Sequence, residues 1–278
     1  MAVKICILIP CLMTDNNRKA NYSAMEFAKT YGADEIVVYA QEFKPEDYKD
    51  GFTYIGNKET RQGFVTPRNE LLKWFYESDY DYAFWVDANE KVSTSCINEI
   101  DTVFAALRNG LEINCMLATM GIQISAERLL AKKRKDYKNS VYLLRSKKGY
   151  EWFHGMINRN YKKYCGVEIY IDERCDPLTG LSEDVYLPRL LRRLFECQLC
   201  PTLILSKPSN KTSTWMNGKG SYDYPPIDLP KLDEFIGENL SRYKGVKGVS
   251  IPDCMRLERV NTESLLYIKP YRAKGVKK

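Results

Sequence analysis

The chain has 278 residues, of which 44% are hydrophobic and 28% are charged, a globular composition that excludes disordered, collagen-like and coiled-coil proteins. No run reaches the roughly 18 apolar residues of a membrane span, and the first residues lack a secretory signal, so we expect a soluble, cytoplasmic protein with no membrane span. The net charge of +6 is unevenly spread, because residues 131–164 hold eleven basic and two acidic side chains.

Short apolar runs alternate with amphipathic stretches through the first half of the chain. Continuous apolar runs predict strands buried on both faces, and apolar residues at helical spacing predict helices. In chain order we predict a strand at 3–9, a helix at 21–31, strands at 35–40 and 52–55, a helix at 67–77 and a strand at 82–86; a further strand at 201–206 and a helix at 233–243 come later. This order predicts a right-handed βαβ half-sheet with its ligand crevice at the carboxyl ends of the strands.

The loops after three of these strands hold the candidate ligand contacts. A Gly-x-Gly-x-x-Gly motif does not follow the first strand and Gly-Lys-Ser/Thr does not occur, which argues against dinucleotide and P-loop sites. The loops carry instead Pro10 after the first strand, Gln41 and Glu42 after the second, and Asp87 and Asn89 after the strand at 82–86. Another kind of ligand must therefore occupy the crevice.

Asp87 and Asn89 are candidate ligands of a metal ion. Side chains two residues apart on an extended segment project the same way, so their oxygens could meet one hard cation. A divalent ion held by one or two protein oxygens keeps positions open for a diphosphate. The alternative is turn chemistry, because Asp and Asn favour turns.

Arg68 and Asn69 follow Pro67 at the start of the helix predicted at 67–77. Proline suits the first helical turn, and a helix N-terminus with a guanidinium group favours a phosphate or a carboxylate. In the alternative interpretation, Arg68 pairs with a local acid such as Glu70 or Asp87.

Glu183 and Asp184 lie in the first turn of a later predicted helix, with Ser182 as its N-cap. Acids at this position can simply complement the helix dipole. On a sheet that binds a nucleotide at its strand ends, one of the two acids is instead a candidate general base.

The order of these motifs resembles the GT-A glycosyltransferases over roughly residues 3–195. The resemblance implies a GT-A-like (Rossmann-like) mixed α/β sheet with helices on both faces, in a single main domain at 1–205. A nucleotide-sugar-binding half would span 1–92 and an acceptor-binding half 93–205. A C-terminal loop, helix and basic tail at 206–278 would pack on the same domain. It further implies a nucleotide-diphosphate sugar as donor, best guess a UDP-sugar, and Mn²⁺ or Mg²⁺ under the diphosphate.

The resemblance also assigns roles to the residues named above. It places Pro10, Gln41 and Glu42 at the nucleoside, and Arg68 and Asn69 at the ribose or diphosphate. It places Asp87 and Asn89 at the metal and diphosphate, and Lys211 at the diphosphate. Asp184, or Glu183, would be the base at the acceptor. The family usually has Asp at both ends of its Asp-x-Asp motif, whereas this chain has Asn89. A neutral amide is a weaker ligand, so metal dependence follows less directly than the fold.

The basic stretch at 131–164 is the basis for predicting an acceptor. Cations interleaved with aromatic rings suit a nucleic acid. The chain also resembles the phage-type DNA glycosyltransferases in being small, basic and rich in Tyr, and this resemblance implies double-stranded DNA with a hydroxymethylated pyrimidine as the acceptor. The expected contacts are Lys132, Lys133, Arg134, Lys135, Lys147, Lys148, Trp152 and His154. Two alternatives stay open: a glycosyltransferase acting on a cell-surface polysaccharide or glycolipid, and a non-catalytic nucleic-acid-binding α/β protein.

Overall fold

A computed structural model describes residues 2–56, 59–89, 91–92, 97–109, 115–120, 140–141, 144–145, 155–158, 168–194, 197–206, 225–244 and 271–272. Within these residues we number strands β1 to β11 and helices α1 to α5. The strands are β1 Ile5–Leu12, β2 Glu35–Gln41, β3 Thr53–Ile55, β4 Tyr82–Trp85, β5 Lys91–Val92, β6 Cys115–Met120, β7 Ser140–Val141, β8 Leu144–Arg145, β9 Gly155–Asn158, β10 Cys197–Ser206 and β11 Tyr271–Arg272. The helices are α1 Arg18–Ala28, α2 Val65–Glu77, α3 Ile97–Arg108, α4 Glu183–Leu194 and α5 Leu229–Lys244.

Nine of the strands form one mixed sheet in the order β3-β2-β1-β4-β9-β6-β10-β5, with β8 also paired to β10. The first four strands are parallel to one another. Strand β9 runs antiparallel to both β4 and β6, and β10 is parallel to β6. The chain therefore moves outward from β1 to β3 and then returns to the other side of β1, which places a topological switch point between β1 and β4.

Alternate side chains of the central strands pack on opposite faces of the sheet. Cys6 and Leu8 of β1 belong to a core with α2, α4 and α5. Ile7 and Ile9 belong to a second core with α1 and α3. Because both faces of β1 are covered, its apolar run is continuous, as expected for a central strand of a doubly wound sheet. The predicted α/β sheet with helices on both faces is thus confirmed.

The predicted elements in the first half of the chain are confirmed, with shifted ends. Helix α2 begins at Val65, two residues before Pro67, so Arg68 is its fourth residue. Helix α1 lies three residues earlier than predicted, and β1 continues through Pro10 to Leu12 instead of stopping at residue 9. The division predicted at residue 205 stays a prediction.

Pro10 is tolerated in the central strand because β4 ends before reaching it. The last paired residues of β1 and β4 are Leu8 and Trp85, and the Leu8 carbonyl accepts a hydrogen bond from the Val86 N–H at 3.2 Å. Backbone groups of alternate residues face the same neighbouring strand, so the nitrogen of Pro10 faces the side where β4 has ended. No ladder hydrogen bond is lost there.

No helix within the described part of the chain is long and apolar enough to cross a membrane.

Candidate active site at the carboxyl ends of the central strands

The switch point is an open fork between two strands. Beyond Leu8, β1 stays paired with β2 as far as the pair of Leu12 with Gln41, whereas β4 ends at Trp85. In open α/β sheets, ligands bind in the crevice that forms at such a point. Asp87 lies just past the end of β4, where it contacts Arg68 of α2, and Arg68 also contacts the first turn of α4.

Arg68 is the centre of a cluster of three carboxylates. Its Nη2 lies 3.3 Å from Asp87 Oδ1 and 3.1 Å from Asp184 Oδ1. Its Nη1 lies 3.1 Å from Glu183 Oε1 and donates to the Phe64 carbonyl at 3.2 Å. Only 10% of the Arg68 side chain is exposed. Arg68 therefore pairs with Asp87, as the local ion-pair interpretation predicts. The pair lies at the strand end where the sequence predicts the ligand, so binding of a phosphate by Arg68 stays a prediction.

Helix α4 brings its two acids to Arg68 because its first turn is fixed at Ser182. The Ser182 carbonyl accepts hydrogen bonds from the N–H groups of Val185 and Tyr186. Before it, Gly180 has a φ of 84° and ends a short 3₁₀ turn. A Cβ at Gly180 would lie 2.7 Å from the Pro226 carbonyl oxygen, so a larger residue would push this connection out of place.

The two neighbouring acids of α4 have different environments. Glu183 has 3% of its side chain exposed and Asp184 has 13%. Burial, reinforced by the charge of Asp184, raises the pKa of Glu183 to about 8 against the favourable charge of Arg68. Oε2 of Glu183 is buried and has no hydrogen-bond partner within the described residues. Burial thus favours the protonated form of Glu183, and Asp184, the more accessible acid, is the better candidate for a general base.

Gln41 and Glu42 join the end of β2 to the loop that follows β3. Oε1 of Gln41 accepts a hydrogen bond from the Gln62 N–H at 2.8 Å. Glu42 has a φ of 57°, an unusual conformation for a residue other than glycine, and its carboxylate pairs with Arg61 at 3.2 Å. Sequence reasoning missed Arg61 and Gln62. The loop after the strand predicted at 52–55 also leaves a carboxyl end of the sheet, and that rule would have found them.

Asn69 has a partner that the sequence did not suggest. Its Nδ2 donates to the Ile171 carbonyl and its Oδ1 accepts from the Ile171 N–H, both at 2.9 Å. The amide therefore faces the segment before α4, and the expected contact with ribose or diphosphate stays a prediction. The structure thus brings together Arg68, Asp87, Glu183 and Asp184. It pairs Asn69 with Ile171, in the segment before α4.

The residues expected to bind a divalent ion supply oxygen ligands but do not form a closed site. The described ranges contain no group of three His, Cys, Asp or Glu side chains that could hold a metal ion. Asp87 contacts Arg68, and Asn89 is half-buried in a turn. Carboxylate and amide oxygens are ligands that Mg²⁺ and Mn²⁺ accept, and three acids surround a single guanidinium group. The donor set fits an ion that takes its other ligands from water and a diphosphate.

Several predicted contacts lie outside the described residues. These are Lys132, Lys133, Arg134, Lys135, Lys147, Lys148, Trp152, His154 and Lys211. Their roles stay predictions.

Neither a protein-family model nor a curated protein matches the sequence. Among solved structures, the chain is similar to S. aureus TarS 1–349 in complex with UDP-GlcNAc, with a TM-score of 0.53 and 12% identity over 86% of this chain and 66% of that chain. TarS 1–349 alone matches with a TM-score of 0.48 and 11% identity, over 88% of this chain and 73% of that one. Its complex with UDP matches with a TM-score of 0.48 and 12% identity, over 87% and 72%. The match to TarS 1–349 with UDP-GlcNAc shows that this chain shares the fold of that protein, a GT-A-like mixed α/β sheet.

Proposed function

We propose that this chain is a nucleotide-sugar-dependent glycosyltransferase that moves a sugar from a UDP-linked donor to a hydroxyl group of a cell-surface polysaccharide or glycolipid. The observation that carries the proposal is the Arg68 cluster. It collects acids from the loop after β4 and from α4 at the switch point of the sheet, where a nucleotide-sugar would bind. The similarity to a fold solved with UDP-GlcNAc supports the donor class.

Asp184 is the base in this proposal. It takes the proton of the acceptor hydroxyl as that oxygen attacks the anomeric carbon of the sugar, and the bond from this carbon to the diphosphate breaks with its electron pair leaving on UDP. Arg68 holds Asp184 in place through the 3.1 Å contact. Direct attack from the face opposite UDP inverts the configuration at the anomeric carbon.

Glu183 differs from Asp184 because burial favours its neutral form, which lowers the negative charge of the cluster. With Glu183 neutral, Asp87, Asp184 and Arg68 together carry one net negative charge, which would repel a diphosphate. Asp87 and Asn89 would hold a divalent ion here. Such an ion, when bound, neutralises the diphosphate and the charge that develops on it. Gln41 and Glu42, together with Arg61, border the nucleoside end of the crevice.

A carbohydrate acceptor is favoured over DNA. The DNA hypothesis depends on the basic stretch at 131–164, whose side chains lie outside the described residues. The chain carries +6 overall and this stretch carries +9, which leaves −3 for the remainder, and a negative body disfavours a polyanion. Hydroxymethylated DNA is kept as the second candidate acceptor, on the charge of that stretch alone.

Calorimetric titration with UDP, GDP and UDP-GlcNAc, each with Mg²⁺, Mn²⁺ or EDTA, tests the donor site. We expect UDP and UDP-GlcNAc to bind and to raise the melting temperature. Binding of none of these compounds would overturn the proposal and leave the non-catalytic alternative.

Transfer assays on surface glycan, glycolipid and hydroxymethylated duplex DNA then test the acceptor. We expect transfer to the glycan or glycolipid, and DNA binding that is weak at 0.15 M salt. A steep salt dependence of DNA binding, flattened when Lys132–Lys135 are changed to Ser, would favour DNA as the acceptor instead.

A further inference from the structure

The side-chain amide of Asn69 pairs with the backbone of one distant residue. It makes two hydrogen bonds of 2.9 Å with Ile171, one to the carbonyl and one from the N–H. This arrangement copies the pairing between two strands, although residue 171 lies outside any strand. An amide that bonds both the N–H and the carbonyl of one residue fixes that residue in two ways. It fixes the distance between the residue and the amide, and it prevents the residue from sliding along the chain direction.

Ile171 belongs to the segment at 168–176, which is held on two sides. Tyr76 of α2 donates from its hydroxyl to the Ile169 carbonyl at 2.7 Å. Asn239 of α5 donates to Asp172 Oδ2 at 2.9 Å. The segment leads through Gly180 to the first turn of α4, so its position along α2 sets where Asp184 arrives.

Asn69 is the neighbour of Arg68 in the same turn of α2. Arg68 contacts Asp184 at 3.1 Å, while Asn69 contacts the segment that precedes Asp184 by 13 residues. One turn of α2 therefore makes two contacts. Arg68 contacts the acidic first turn of α4, and Asn69 contacts the segment at 168–176 that leads into α4. Tyr76 lies two turns further along α2 and holds the segment without touching that turn.

We propose that Asn69 is a positioning residue for the base Asp184 and does not contact the donor. This inference rests on the proposed function. Without Asn69, the segment at 168–176 can shift relative to the turn that carries Arg68, and the carboxylate of Asp184 moves with it. Small misplacements of a base cost rate more than they cost binding of a substrate.

The test compares Asn69→Ala with Tyr76→Phe, which removes one hydrogen bond to the same segment. UDP affinity is measured by calorimetry, and turnover is measured as UDP release from UDP-GlcNAc with water as the acceptor. We expect Asn69→Ala to bind UDP within about twofold of wild type and to lose about tenfold or more in kcat. Tyr76→Phe should lower the melting temperature while its kcat stays within about twofold of wild type.

Three results would overturn the inference. Weaker UDP binding by Asn69→Ala at unchanged kcat would make Asn69 a donor contact. Equal losses of kcat in Asn69→Ala and Tyr76→Phe, or none in either, would make its role merely structural.

If Asn69→Ala does not fold, Asn69→Asp keeps one of the two hydrogen bonds and is expected to show the same split between kcat and UDP affinity. Wild-type protein that neither binds UDP nor releases it from UDP-GlcNAc would instead refute the proposed function.

Discussion

Replacing Glu183 by Gln should change how the stability of this protein depends on pH. Burial raises the pKa of Glu183 from 4.5 to about 8. Between these values the folded protein keeps a proton that the unfolded chain releases, so the free energy of unfolding falls as pH rises from about 4.5 to about 8 and then levels off. At 1.36 kcal/mol per pKa unit, this cost reaches about 3 kcal/mol at pH 7. The Glu183→Gln variant escapes this cost, because an amide does not titrate.

Urea unfolding of wild type and Glu183→Gln at several pH values between 5 and 8 measures this effect. We expect the two free energies of unfolding to diverge by about 3 kcal/mol over this range, in favour of the variant at high pH. Glu173→Gln is the matched control, because it removes one exposed carboxylate in the segment before α4, and it should follow wild type. Parallel curves for wild type and Glu183→Gln would show that Glu183 is ionised in the folded protein and refute the reasoning.

Five further variants test the site and its surroundings. Asp184→Asn should reduce transfer by about 100-fold or more while UDP affinity, followed by calorimetry, is retained; near-normal turnover would remove Asp184 from the mechanism. Arg68→Ala leaves the acids Asp87, Glu183 and Asp184 without this guanidinium and should cost about 3–5 kcal/mol in urea unfolding, whereas Arg68→Lys should cost less. Asn89→Asp adds a charged oxygen ligand, and we expect UDP binding to depend more steeply on Mn²⁺; an unchanged dependence would place the ion elsewhere. The guanidinium of Arg174 lowers the pKa of Asp172 to about 2. The resulting stabilisation of about 2 kcal/mol is present above pH 4 and is lost as pH falls from 4 to 2. Asp172→Asn should therefore be less stable than wild type at pH 6 and approach the stability of wild type at pH 2.

The sequence carried enough information to place the parallel half of the sheet and its acids. Continuous apolar runs identified β1, β2 and β4, and the rule that ligands meet at carboxyl ends placed Asp87 near the first turn of α2. The meeting of Arg68 with Asp184, 116 residues away, followed only through the family resemblance.

Other features left no pattern in the sequence. Strand β9 has four residues, Gly155–Asn158, too few for a period to appear, so its antiparallel insertion between β4 and β6 could not be predicted. The pairing of Asn69 with Ile171 joins a helix to an irregular segment, and an Asn in a helix start carries no signal of a distant partner. Pro10 misled the prediction of where β1 ends, because tolerance of proline depends on the length of the neighbouring strand.

The parting of β1 and β4 after Leu8 and Trp85 makes the width of the crevice a property of the main chain. Two strands that stop pairing part whatever side chains they carry, so a substitution in the loop after β4 changes the chemistry of the fork without changing where the strands separate. Such a scaffold can change the side chains around the carboxyl ends of its strands while the sheet itself stays intact.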